Sequence, residues 1–236
     1  MFKFIGVGSA FNTTLGNTSA FLDYGNDKIL FDSGETVFSA LNRSEFWTGH
    51  NTVFITHNHP DHIGSLGSFI FYAFYIKKDR PTVYGNSDLK VILNLMGVRE
   101  EFFDFVDIKT IKTVTFDRKG SLKDGYVVAP VQNKHAKDIA SVGYIVKESN
   151  SGTLSYYSGD ESDVPELVLQ KFSKGKINYL YLDVSWLDYP DNVHMSYKKL
   201  CEKFPDSRER IYIMHLDNNF NESKALADGF KLAGKE

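Results

Sequence analysis

The chain has 236 residues, 42% of them apolar, enough to fill a sizeable core in one large domain or two small ones. Its 27 basic and 30 acidic side chains leave a net charge of −3, which argues against broad nucleic-acid binding, because that needs a positive face over the phosphates. The lone Cys201 excludes an intrachain disulfide and suits a reducing cytosol, and the longest apolar run, residues 69–76, is too short to span a bilayer.

The sequence opens on the strand-like segment 2–5, with no secretory leader expected. Further strands are predicted at 19–23 and 28–31, around a turn at 24–27, and at 52–55. A helix is predicted over 67–77, where Phe69, Phe71, Tyr72, Phe74 and Tyr75 divide between core filling and pocket wall. A strand at 82–84 and helices at 88–96 and 100–105 follow; Phe102, Phe103 and Phe105 read either as core or as an exposed interface. The second half gives strands at 127–130, 142–146 and 153–157, a helix at 164–172, a strand at 179–184, a helix at 196–204, a strand at 211–214 and a closing helix at 221–232. No repeat, low-complexity segment or linker interrupts this series, so 1–236 reads as one domain. Strand-rich halves interleaved with helices predict an α+β, four-layer αββα sandwich.

The run Thr56-His57-Asn58-His59-Pro60-Asp61-His62 directly follows the strand predicted at 52–55. Three crowded imidazoles repel one another once protonated and gain little by packing, so the run is a poor way to build a core. Imidazole nitrogen and carboxylate oxygen instead suit zinc and neighbouring divalent metals. Four such groups on a short loop point to more than one ion, because a single tetrahedral centre would leave no place for water. Three more residues follow strand ends: His135, Asp160 (after Ser158-Gly159) and His215. Taken alone, each of these histidines is more often structural; the compact cluster changes that reading. His50 reads as a turn residue and not a ligand.

His57-x-His59-x-Asp61-His62, followed by His135, Asp160 and His215, resembles the ordered ligand signature of the metallo-β-lactamase superfamily, and the resemblance covers nearly the whole chain. Phe31-Asp32-Ser33-Gly34 is similar to the early strand-ending aspartate motif of that family. The resemblance implies the metallo-β-lactamase fold and two divalent ions, zinc first, with manganese or magnesium as alternatives. One ion would take His57, His59 and His135, the other Asp61, His62 and His215, with Asp160 bridging both. Physically, such ions lower the pKa of a shared water and stabilise anionic oxygens. Asp160 has two oxygens for a bridge, and Asp32 is suited to accept a ligand imidazole N–H. Asp61 and Asp160 are expected to be essential for turnover.

Within the superfamily, Gly6-Val7-Gly8-Ser9, Asn17-Thr18-Ser19 and the stretch from His135 to Ser141-Val142-Gly143-Tyr144 resemble motifs of the ribonuclease Z-like phosphodiesterase branch. Asp183-Val184-Ser185 and His194-Met195-Ser196 stand where that branch has Glu-Ala-Thr and His-Ser-Thr. The resemblance implies that Asp183 orients His194, and that His194 contacts the phosphate and protonates the leaving oxygen. The departures are as informative. No long basic Gly/Pro-rich arm lies between His135 and His215, Lys171, Lys174 and Lys176 are too few to replace it, and Phe11-Asn12-Thr13-Thr14-Leu15-Gly16 stands in place of a basic phosphate-contacting motif.

A small phosphodiester is therefore the expected substrate, and the chain resembles the anti-Pycsar-type cyclic-nucleotide phosphodiesterases of phages and bacterial homologues. That resemblance implies hydrolysis of 3′,5′-cyclic nucleotides, cyclic CMP and cyclic UMP among them, to nucleoside monophosphates. It also implies interference with antiviral signalling, a homodimer and a cytoplasmic site of action, in the host if the protein is phage-encoded. Competing readings are a ribonuclease Z-like tRNA 3′-processing endonuclease, a glyoxalase-like thioesterase or β-lactamase-like amidase, and a noncatalytic protein that sequesters nucleotides.

Overall fold

Successive side chains of a strand point to opposite faces of its sheet, and both faces of the N-terminal strands are apolar. Ile29, Phe31 and Phe54 enter one core, whereas Leu30, Val53 and Ile55 enter a second. A sheet built this way must be covered on both sides. The structure is a computed structural model and describes residues 2–118 and 121–235.

Among the described residues the first sheet has six strands, β1 (Lys3–Gly6), β2 (Ser19–Tyr24), β3 (Asp27–Phe31), β4 (Asn51–Phe54), β5 (Thr82–Gly85) and β6 (Asp104–Asp107), paired in that order. β1 to β3 are antiparallel, and β3 to β6 run parallel. Helices α1 (Val37–Leu41), α2 (Pro60–Ile63), α3 (Leu66–Tyr72) and α4 (Ser87–Leu95) lie between strands. Val37, Leu66, Phe69, Ile70 and Leu89 from these helices cover Leu30, Val53 and Val83 on the outer face.

The second half forms β7 (Val114–Arg118), β8 (Ser121–Gln132), β9 (Val142–Glu148), β10 (Leu154–Tyr157), β11 (Tyr179–Ser185), β12 (Met195–Ser196), β13 (Ile211–Met214) and β14 (Lys231–Leu232). They pair in the order β14-β13-β11-β10-β9-β8-β7, with β12 beside the end of β11. β7 to β10 form an antiparallel meander, after which β10, β11, β13 and β14 are parallel. Helices α5 (Glu166–Ser173), α6 (Tyr197–Lys203) and α7 (Glu222–Ala227) interleave with the later strands.

Aromatic rings fill the space between the sheets. Phe31 stacks on Phe54 at 5.5 Å and meets Tyr144 at 5.6 Å and Tyr157 at 5.5 Å. The buried Tyr144 hydroxyl donates to the Ile55 carbonyl at 2.6 Å, a hydrogen bond from one sheet to the other. The architecture is the expected αββα sandwich.

Three expected elements differ. Residues 100–105 do not form a helix: a turn leads into β6, where the Asp104 amide donates to the Pro81 carbonyl at 2.9 Å. Pairing with β5 completes the sheet and outweighs the local helix propensity of Glu-Glu-Phe-Phe. Phe102 and Phe103 are thereby buried and Phe105 packs on the same core, so these rings are not an exposed surface. The helix expected over 67–77 is α-helical only to Tyr72 and continues as a π-helical turn, Ala73–Lys77. The closing helix stops at Ala227; Gly229, at φ 93°, then turns the chain into β14. Among the described residues no helix is long and apolar enough to cross a membrane.

Candidate metal centre

The chain beyond β4 enters a short helix directly after His59, whose backbone is extended. Pro60, with its φ already fixed, begins α2 and places Asp61 and His62 on the first turn, just after His57 and His59. The loop after β3 presses against this turn: a Cβ on Gly34 would lie 1.8 Å from the Asp61 carbonyl oxygen, so only glycine fits there. Gly159, at φ 59°, delivers Asp160 from the end of β10. Asp32 and His215 adopt φ 61° and 60° at the ends of β3 and β13 without being glycine. Each such residue costs on the order of 1–3 kcal/mol, and the surrounding contacts hold both in place.

The structure brings together all seven residues expected as ligands. His59 Nδ1 stands 2.9 Å from His57 Nε2 and 3.1 Å from His135 Nε2. Asp160 Oδ2 lies 3.8 Å from both His57 Nε2 and His135 Nε2. On the other side, Asp160 Oδ1 lies 3.1 Å from His62 Nε2 and 3.4 Å from His215 Nε2. Asp61 Oδ2 completes this second group, 3.4 Å from His62 Nε2 and 3.2 Å from His215 Nε2. One oxygen of Asp160 thus faces each group. His50 is remote from both, bonded to Asp79 at 2.7 Å.

Donor chemistry tests whether these residues fit metal ions. His135 Nδ1 lies 3.0 Å from the Val193 carbonyl, which can only accept, so the ring proton is on Nδ1 and Nε2 presents a lone pair. His62 Nδ1 is 3.0 Å from Asp32 Oδ2, and His57 Nδ1 is 3.1 Å from Thr56 Oγ1. His215 Nδ1 lies 3.2 Å from Asp183 Oδ1. The opposite nitrogens converge toward Asp160, and in the first group the lone pairs of neutral imidazoles do not bond among themselves. His62 Nε2 and Asp160 Oδ1, although adjacent and buried, make no hydrogen bond. Ligand atoms about 2.0–2.2 Å from a tetrahedral ion stand roughly 3.3–3.6 Å apart, close to the spacings seen here. The residues fit a pair of divalent cations.

Electrostatics divides the groups. Burial, then the neighbouring His62, holds His57 well below the usual histidine range; burial and His135 lower His59. Both rings are therefore neutral and available as ligands. In the second group burial also opposes the charged form, but Asp160, Asp32 and Asp61 outweigh it at His62, and Asp160 and Asp183 at His215, so both are raised. Burial would raise Asp61 and Asp160, yet the imidazoles hold both carboxyls low, Asp61 through His62 and Asp160 through His215 and His62. Asp32, Asp61, Asp160 and Asp183 are all buried in this cluster. Such a concentration of carboxylates requires compensating positive charge, which bound cations supply.

Asp32 Oδ1 also accepts from the Thr56 amide at 2.8 Å, which fixes both the His62 ring and the strand exit before His57. Asp183 lies beside His194 as expected, with 2.7 Å between Oδ2 and His194 Nδ1. The additional approach of its Oδ1 to His215 was not expected. It arises because β11 and β13 are parallel, with Asp183 opposite Met214. Burial opposes protonation of His194, but Asp183 raises its pKa above the usual histidine value.

A cavity of about 570 Å³ opens over Asp61, His135, Asp160, His194 and His215. Its walls are Ala10, Phe11, Pro60, Leu187, Tyr189 and Val193, with Ser9, Glu35, Ser185 and Asp217 among the polar groups. None of the five rings in 69–75 lines it; Phe69 is buried in the outer core and Tyr75 is exposed. Sequence reading missed Leu187, Tyr189 and Asp217 because nothing in their local pattern marks them. Phe11 was visible only as a departure from a basic motif.

A family profile described as "Anti-Pycsar protein Apyc1" matches residues 1–234. The chain is 25% identical over 231 residues to the anti-Pycsar protein Apyc1 of Paenibacillus xerothermodurans, covering 93% of this chain and 89% of that one. Its fold is similar to the short form of human tRNase Z, with a TM-score of 0.70 and 19% identity, covering 98% of this chain and 95% of the other. It is also similar to the metallo-β-lactamase fold protein YhfI from Bacillus subtilis, with a TM-score of 0.71 and 14% identity over 97% and 90% of the two chains. A profile spanning almost every residue, together with a metallo-β-lactamase-type αββα frame that gathers two His/Asp groups around Asp160, shows that the chain belongs to the anti-Pycsar Apyc1 family.

Proposed function

We propose that the protein is a binuclear metal-dependent phosphodiesterase that opens 3′,5′-cyclic nucleotides to nucleoside monophosphates and so counters cyclic-nucleotide antiviral signalling. The observation that carries this reading is the His194–Asp183 pair beside the two ligand groups, with Asp183 buried and His194 on the cavity that the groups open to. Zinc is the first choice for so nitrogen-rich a set, with manganese or magnesium as substitutes.

His57, His59 and His135 would hold one ion, and Asp61, His62 and His215 the other, with Asp160 between them. When bound, such ions supply Lewis-acid activation of water and neutralise charge on the phosphoryl oxygens. Asp183 accepts the Nδ1 proton of His194, so His194 faces the substrate through Nε2. With its pKa raised by Asp183, His194 holds a proton at Nε2 for the departing ribose oxygen. Asp32 fixes His62, and the Val193 carbonyl fixes His135, so ligand nitrogens need not reorient during turnover.

The cavity falls within the roughly 300–1,000 Å³ common for small-molecule sites. Its walls are more apolar than hydrogen-bonding, a composition suited to broad base acceptance, cyclic CMP and cyclic UMP included. Residues 1–236 acting as one domain, as a homodimer in the cytoplasm, complete the proposal; these features rest on the family likeness. The test is product analysis with metal-quantified protein on cyclic mononucleotides, linear RNA ends, precursor tRNA and S-lactoylglutathione. Nucleoside monophosphate formed at catalytic enzyme concentration is the expected result. Exclusive cleavage of tRNA or thioester, or stoichiometric binding without product, would overturn it.

A further inference from the structure

Two exposed apolar side chains, Leu187 and Tyr189, face the cavity from the loop that joins β11 to β12. The start of that loop is anchored by the ring of Trp186, packed on Tyr197 at 4.8 Å and Phe220 at 5.6 Å, and by hydrogen bonds to its backbone. Those hydrogen bonds begin at Asp217, two residues beyond His215. Asp217 Oδ2 accepts from the Trp186 amide at 2.7 Å and from the Ser185 hydroxyl at 3.0 Å. Ser185 Oγ in turn accepts from the Leu187 amide at 3.1 Å. The other oxygen, Oδ1, accepts from the Asn219 amide at 3.1 Å, which holds the carboxylate itself.

The far end of the loop is fastened separately. Asn192 Nδ2 donates to the Leu187 carbonyl at 3.0 Å, and Asn192 Oδ1 accepts from the His194 amide at 3.0 Å. The Val193 carbonyl accepts from His135, and His194 is held by Asp183. The metal ligands and His194 therefore keep their own supports without Asp217, whereas the turn from Ser185 into Leu187 is held by Asp217 together with the packing of Trp186, and residues 188–189 by Lys198 and the Asn192 amide.

Charge explains why a carboxylate is tolerable beside a site for anionic phosphodiesters. Asp217 belongs to neither ligand group, and free in the cavity it would repel the substrate. Its oxygens are instead directed to two backbone amides and a hydroxyl, and hydrogen bonds to a charged acceptor are among the stronger kind.

We infer that Asp217, acting with Ser185, is a positioning residue that holds Leu187 and Tyr189 as the wall against which the nucleoside part of the substrate packs, and so sets affinity for nucleotides without taking part in the chemistry. This inference rests on the proposed phosphodiesterase activity. It separates two substrate parts: the phosphodiester over the His/Asp groups and the nucleoside against the loop.

The test compares wild type, Asp217→Ala, Asp217→Asn and Ser185→Ala, each at equal measured metal content. Cyclic CMP is the nucleotide substrate, and methyl p-nitrophenyl phosphate is a small diester that does not reach the wall. For Asp217→Ala, KM for cyclic CMP should rise roughly ten-fold, equivalent to about 1.4 kcal/mol. Its kcat on the small diester should stay within about two-fold of wild type. Amide hydrogen exchange should quicken at Trp186 and Leu187 and not at His194. Asp217→Asn keeps one acceptor oxygen and should recover part of the KM; Ser185→Ala should give a smaller rise and serves if Asp217→Ala does not fold. Equal losses on both substrates, or an unchanged KM with unprotected loop amides, would overturn the inference. A wild-type enzyme inactive on every cyclic nucleotide but active on the small diester would instead overturn the proposed function.

Discussion

Asp183→Asn is the most informative perturbation of the centre because one side chain serves two histidines. Asp183 is fully buried, with Oδ2 2.7 Å from His194 Nδ1 and Oδ1 3.2 Å from His215 Nδ1. Asparagine keeps the shape but offers one acceptor oxygen and one NH₂. If the NH₂ faces His215, that ring must accept at Nδ1 and carry its proton on Nε2, the nitrogen aimed at Asp61 and Asp160. If it faces His194, that ring accepts at Nδ1 and loses the carboxylate that stabilises its charged form. Altering a residue behind a metal ligand commonly costs about 10–100-fold in metal affinity, and losing a charge-assisted hydrogen bond costs about 1.5–3 kcal/mol, or about 10–150-fold in rate. We expect kcat on cyclic CMP to fall roughly 100-fold even with metal restored.

The pH profile supplies the sign. Asp183 raises the His194 pKa, so removing its charge lowers that pKa and the proton for the leaving group is lost at a lower pH. The alkaline limb of kcat should therefore move toward acid in Asp183→Asn. The assay is initial rate against pH, with zinc content measured on the same samples. Full zinc occupancy, near-normal kcat and an unmoved alkaline limb would refute the reasoning.

Other expectations follow from single contacts. Asp61→Ala should abolish turnover while leaving a folded protein by circular dichroism; near-normal activity in a metal-analysed sample would count against its assignment. Gly34→Ala forces a methyl against the Asp61 carbonyl, so metal content and activity should both fall, and an unchanged variant would show that the loop after β3 can move aside. Tyr144→Phe removes the hydroxyl that reaches the Ile55 carbonyl between the sheets and should cost about 1–3 kcal/mol in urea unfolding, with little change in kcat.

Legibility of the sequence followed how local each cause is. His57 to His62 lie within one short run, so their chemistry is visible without a fold. β3, β4 and β13 were found because alternating or continuous apolar residues ended at turn or ligand residues. Residues 100–105 were misread because Glu100-Glu101-Phe102-Phe103 has the composition of a helix, whereas the deciding interaction, pairing of Asp104 with Thr82, comes from elsewhere in the chain. The contact between Asp183 and His215 was invisible for the same reason: it depends on the parallel register of β11 and β13. Asp217 was hidden more deeply, since its partners are mostly backbone amides, which carry no sequence signature.

The two halves of the sandwich contribute unequally but indispensably to one centre: His57, His59, Asp61 and His62 follow β4, whereas His135, Asp160 and His215 follow strands of the other sheet. Ion capture is therefore also a clasp between the halves, and neither half expressed alone can assemble both coordination spheres. Loss of the ions should be felt first as a loosening of that seam, ahead of any melting of the individual strands.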